Sequence, residues 1–118
     1  MNDGTLRRAI LAEVARWPGV VVDAATSENP QVRVGRIELG HLHGDAAAHL
    51  PFPRDIRSAL LASGRVGPHP LFPESGWVER RMEGPDDVED VIALFRMNYE
   101  RASSRARRAT AREEASHA

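Results

Sequence analysis

Apolar residues recur every three or four positions at Leu6, Ile10, Val14 and Trp17, and Pro18-Gly19 then ends the series. That period predicts an amphipathic helix with one buried stripe, and Thr5 stands where an N-cap belongs. Trp17 is expected to anchor the helix in the core rather than to face a ligand. The period then changes. Val20-Val21-Val22 is a β-branched run that reads as a buried strand, and Ser27-Glu28-Asn29-Pro30 reads as a loop. From Gln31 apolar and polar residues alternate through Val32 and Val34, break at Gly35-Arg36, and resume with Ile37 and Leu39. The break predicts a hairpin turn or a bulge at Gly35. The resumed strand runs to Gly44-Asp45, and Ala46 to Leu50 offers a further short strand leading into the rigid Pro51-Phe52-Pro53.

Pro53 suits the first turn of a second helix, with Ile56, Leu60 and Leu61 as its buried stripe and Gly64 as its C-terminal cap. A long loop follows from Arg65 to Gly76, stiffened by Pro68, Pro70 and Pro73. Trp77 to Met82 then alternates with no wholly apolar face: Val78, Arg80 and Met82 share one side, and Trp77, Glu79 and Arg81 the other. Such a strand is expected at a sheet edge, where it could pair across a two-fold axis to give a homodimer. Gly84-Pro85-Asp86-Asp87 marks a helix start, and Val88, Val91, Ile92, Phe95 and Tyr99 form the stripe of the last helix. The predicted order is α-β-β-β-α-β-α, an α+β fold with a mainly antiparallel sheet packed by helices on one face. Residues 1–100 are expected to form a single domain, and 101–118 an Arg/Ala-rich tail, a frayed helix or a disordered segment.

Composition narrows the function classes. At 118 residues the chain holds one core, and 42% hydrophobic against 28% charged residues fits a globular domain rather than a disordered one. A net charge of -1 gives no overall attraction to nucleic acid or anionic membrane; a patch of arginines 80, 81, 101, 105, 107 and 108 is the one local exception. With no cysteine, disulfide and thiolate chemistry drop out, and every one of the 16 basic residues is arginine, which removes Schiff-base lysine mechanisms. No apolar run is long enough to cross a bilayer and no signal-peptide pattern opens the chain, so a cytoplasmic location is expected.

The chemistry concentrates in Glu38-Leu39-Gly40-His41-Leu42-His43-Gly44-Asp45. Strict strand alternation turns His41 and His43 to one face, together with Ile37 and Leu39. It sets Glu38 on the opposite face, so Asp45 is the expected orienting carboxylate unless Gly40 hosts a bulge. His69 is held between Pro68 and Pro70 in the long loop, where binding residues concentrate, while Phe52 and Trp77 are expected pocket walls.

These residues carry a resemblance. Glu38-x-x-His41-x-His43, His49-Leu50, Gly67-Pro68-His69-Pro70-Leu71, and Trp77 followed by an acid-rich helix start and Tyr99 occur together and in order across roughly residues 36–99. The chain thereby resembles the luciferase-domain family, which includes the fungal luciferases. Its second half also resembles the MmcQ/YjbR-like double-wing domains in architecture. The first resemblance implies oxidation of a hydroxylated pyrone by molecular oxygen without an organic cofactor, and it places the polar site at His41, His43, His49 and His69. The chain is shorter than the fungal luciferases and shows no amino-terminal membrane-associating segment.

Three function classes are compatible with these residues. In an oxygenase of an enolic small molecule, His41 or His43 would be the base and His69 the second polar group, with Glu38 or Asp45 orienting one of them and His49, Phe52 and Trp77 in the binding wall. In a metal site, His41 and His43 would be joined by His69 or His49. In a non-catalytic module the same cleft would bind a ligand without turnover.

Overall fold

The structure, a computed structural model, describes residues 4–116. Its strands are β1 (Val20–Asp23), β2 (Gln31–Val34), β3 (Ile37–His43), β4 (Ala47–Pro51), β5 (Gly67–Pro68) and β6 (Trp77–Arg81). They form one antiparallel sheet in the order β1-β2-β3-β4-β6-β5. The helices are α1 (Thr5–Val14), α2 (Arg54–Ala62) and α3 (Val88–Ser116), the last entered through a 3₁₀ turn at Pro85–Asp87. The α+β class and the antiparallel sheet agree with the sequence. The element order gains two strands, giving α-β-β-β-β-α-β-β-α. β4 is the Ala46-to-Leu50 segment, and β5 is a two-residue pairing inside the proline-rich loop that apolar periodicity is too coarse to register.

Val32, Leu39, Leu42, Ala48, Leu50 and Val78 pack on Ile10 and Val14 of α1, Leu60 of α2, and Val91, Leu94 and Phe95 of α3. Trp17 joins this core as expected, its ring 5.2 Å from that of Tyr99. The Tyr99 hydroxyl donates to the carbonyl of Pro18 at 2.7 Å and ties α3 to the end of α1. β6 is not an edge strand: β4 flanks it on one side and the short β5 on the other. Its charged inner position, Arg80, is explained by pairing, since the guanidinium reaches both Asp87 (2.8 Å) and Asp90 (2.9 Å) at the start of α3. α3 continues to Ser116 through the Arg/Ala-rich stretch, and Ala102 is still buried; residues 117–118 of the expected tail lie outside the described residues.

Two local features shape the polar face of the sheet and its surroundings. The Gly35-Arg36 break is a two-residue hairpin turn, with Val34 opposite Ile37, and the bulge lies further along. Val32 faces Gly40 while Arg33 faces Glu38, so Leu39 is the extra residue of β3. A bulge reverses the alternation beyond it. Leu39 and Leu42 are therefore both fully buried in the core, and Glu38 shares the opposite face with His41 and His43. The expected grouping of Leu39 with the histidine pair is corrected accordingly, and the condition under which Glu38 serves His41 is met. Asn98 of α3 locks the bulge from below, its amide donating to the carbonyls of Leu39 and Pro51, both at 2.9 Å.

Asp45 has a different task from the one expected of it. Thr5 is the first residue of α1 and Gly4 occupies the N-cap position, with no side-chain cap of its own. Asp45 supplies it from across the fold, accepting from the amides of Leu6 (3.2 Å) and Arg7 (2.9 Å). Its carboxylate makes no hydrogen bond to a histidine among the described residues. Asp45→Ala should cost about 1–2 kcal/mol, the usual loss for an N-cap, read as a lowered urea midpoint. An unchanged midpoint would remove the cap.

Candidate functional site

The sheet face away from the helices carries four imidazoles from three chain segments. His41 on β3 sits directly opposite His49 on β4, and His49 sits opposite Glu79 on β6, so the antiparallel register aligns the three across the sheet. Ring centroids are 5.3 Å apart for His41 and His49, 4.6 Å for His43 and His49, and 5.8 Å for His41 and His43. The β5–β6 loop brings His69 to 4.5 Å from His49. Trp77 flanks the cluster at 5.1 Å from His41, and Phe72 lies 5.4 Å from His69.

Hydrogen bonds set the protons. Glu38 Oε2 lies 3.0 Å from His41 Nδ1, and Glu79 Oε2 lies 2.9 Å from His49 Nε2. A carboxylate only accepts, so these bonds place protons on His41 Nδ1 and His49 Nε2 and leave His41 Nε2 and His49 Nδ1 with free lone pairs. His69 is the reverse case: its Nδ1 accepts from the amides of Leu71 (3.1 Å) and Phe72 (3.2 Å), so its proton sits on Nε2 as a donor. The Pro-His-Pro segment thus orients this ring through its own backbone. His49 is 4% exposed, and its Nδ1 is buried without a partner. Burial, the largest influence, holds its pKa below the usual histidine range against the opposing bond from Glu79, and the other three imidazoles push it the same way as burial.

His49 makes stability depend on pH. Its folded pKa is depressed, so the folded state binds fewer protons than the unfolded one below the ordinary histidine value of about 6.5. The stabilisation is full above that pH and is lost as pH falls through the folded pKa. His49→Gln should flatten the decline of the unfolding midpoint as pH falls below about 6.5. An equally steep decline in the variant would assign that limb to other groups.

One ring nitrogen from each of His41, His43 and His49 lies within 4.8 Å of the others, so these three could hold a metal ion. Of the two third ligands the sequence offered, the set contains His49 and not His69, whose Nδ1 is taken by backbone amides and whose Nε2 holds the proton. Of the other expected site residues, Glu38 and Trp77 join the cluster, Asp45 caps α1, and Phe52 is 5% exposed in the core. Glu79 and Phe72 were not among them. Glu79 had a signal available, since alternation from Trp77 places it on the same face; the missing information was that β4 and β6 are neighbours.

Among the described residues no helix is long and apolar enough to cross a membrane. Neither the curated proteins nor the solved structures yielded a match to this chain. A family model for the luciferase domain matches residues 36–98, from the turn before β3 into the middle of α3, and so spans Glu38, all four clustered histidines, Trp77 and Glu79. That is more than half of the 118 residues, and the chain belongs to the luciferase-domain family.

Proposed function

We propose that the histidine face is a small-molecule active site that takes a proton from an enolic, pyrone-type substrate and lets the enolate react with molecular oxygen. The observation that carries this reading is the opposed pair of carboxylate-supported imidazoles, Glu38–His41 and Glu79–His49. With Nδ1–H held by Glu38, His41 presents its Nε2 lone pair as the base. Loss of the proton leaves an electron-rich carbon, which gives an electron pair to oxygen as the C–O bond forms. Oxygen accepts two electrons and becomes a peroxide anion, whose terminal atom recovers the proton from His41 to give the hydroperoxide. The Nε2–H of His69 is a donor suited to the peroxide, and Trp77 and Phe72 supply flat apolar surface for a planar ring. The oxidoreductase assignment rests on this chemistry together with membership of the luciferase-domain family.

Oxygen-electrode measurements with a series of 3-hydroxy-2-pyrones test it. Saturable uptake is expected for the wild type. Pyrone binding without uptake would favour a non-catalytic ligand module, and the absence of both would defeat the reading.

A second reading has its own observation, the buried and unpartnered Nδ1 of His49. A ligating imidazole ordinarily gives its other N–H to a carboxylate, as His41 and His49 do. His41, His43 and His49 would hold the ion, which would supply Lewis acidity toward a substrate oxygen. Elemental analysis decides: stoichiometric metal in the wild type, lost in His41→Ala and His49→Ala, would support this reading. Metal-free protein with full oxygen uptake would dismiss it.

A further inference from the structure

A cavity of about 590 Å³ lies between the start of β3, α2 and the middle of α3, with Glu38 shared between it and the histidine face. That volume falls within the range of small-molecule sites. Ile37, Ile56 and Met97 give it an apolar wall continuous with the core. Arg101, Arg105 and Arg108 follow one another at helical spacing along α3 and line it with positive charge.

The charge is only partly offset: Asp55 of α2 acts on Arg101 without forming an ion pair, and Glu38 carries one negative charge at the cavity's edge. Both acidic residues that line the cavity are engaged elsewhere, Glu38 with His41 at 3.0 Å and Glu100 with Arg96 at 3.1 Å. Arg101 donates to the neutral amide oxygen of Asn98 at 2.7 Å and stacks 6.0 Å over the Phe52 ring. Among the described residues, Arg101, Arg105 and Arg108 form no ion pair. Like charges four apart on a helix repel, and an anion between them would reverse the sign of that interaction. A solvated arginine face needs no apolar wall opposite it; this one has a wall and a cavity between.

We propose that this cavity binds a small molecule with an anionic head, carboxylate or phosphate, and an apolar body. The head meets the guanidiniums of Arg105 and Arg108, with Arg101 behind them, and the body lies on Ile37, Ile56 and Met97. The site does not depend on the oxidation proposed for the histidine face.

Titration calorimetry on the whole chain tests it with four probes: decanoate, decyl phosphate, decanol and inorganic phosphate. The two anionic amphiphiles should each saturate a single site, the tighter one naming the head group, while decanol and inorganic phosphate bind at least tenfold more weakly. Arg105 and Arg108 are exposed, so the Arg105→Ala/Arg108→Ala variant should keep its fold, checked by its unfolding midpoint. It should lose at least tenfold in decanoate affinity, whereas Arg107→Ala, an exposed arginine of the same helix that does not line the cavity, binds decanoate like the wild type. Equal binding of decanol and decanoate, or undiminished binding by the double variant, would overturn the proposal.

Discussion

Gly40→Ala is expected to lower the thermal midpoint by roughly 10–20 °C, corresponding to about 3–5 kcal/mol for a domain of this size. Two costs combine. The first is steric: a Cβ at this position would lie 2.8 Å from the carbonyl oxygen of His49, 2.9 Å from the Phe95 ring and 3.0 Å from Leu50. The nearest of these is backbone in the neighbouring strand, which cannot rotate away, and overpacking of a filled core costs about 1–3 kcal/mol. The second is conformational: φ is +153°, a region that side-chain-bearing residues rarely enter, at about 1–3 kcal/mol. Gly35→Ala is the control. It also has positive φ, +58°, but no atom within 4 Å of the added Cβ, so only about 1 kcal/mol is expected. Similar midpoints for the two variants would mean that β3 does not cross β4 and α3 as closely as described.

The second large effect concerns proton transfer. His41→Ala should reduce oxygen uptake with an enolic pyrone by about 10²–10⁴-fold, the range for loss of a general base. Glu38→Gln is the sharper variant, because it keeps size and burial and changes only what holds the His41 Nδ1 proton. An amide can donate to Nδ1 and stabilise the tautomer whose Nε2 is already protonated, and such a switch behind a catalytic imidazole costs up to about 10⁴-fold. The loss should fall in kcat with KM little changed, since Glu38 positions the base through His41. Glu79→Gln perturbs His49 and should cost less, because His49 is not the assigned base. A larger loss in Glu79→Gln than in Glu38→Gln would exchange the two imidazoles' roles.

Much of the fold was legible in the chain. Helical spacing found α1, α2 and the core of α3, and it placed Trp17 and Tyr99 in the interior where they meet. The ordered set of histidine, proline and tryptophan motifs identified the family, because the set records a spatial cluster that separate segments must build together. The arrangement of the face was less legible, and the reason is one glycine. Period-two reasoning assigns Leu39 and His41 to the same side, and an extra residue next to Gly40 separates them, burying one and exposing the other to the site. Asp45 and Asn98 act across 38 and 59 residues of chain, so no local pattern reports their partners. The arginines beyond Tyr99 read as a solvated tail because the wall they face, Ile37 and Ile56, comes from two distant elements.

The central claim is that His41 takes the substrate proton. It is tested most directly by long-range proton–nitrogen correlation spectra of the histidine rings at pH 7, recorded without oxygen, before and after addition of a 3-hydroxy-2-pyrone. The free protein should show His41 protonated at Nδ1 alone and both His49 and His69 at Nε2 alone; on binding, the two His41 nitrogens should converge on the imidazolium pattern while His49 remains neutral. A bound pyrone that leaves His41 neutral, or a free protein in which His41 carries its proton on Nε2, would contradict the account.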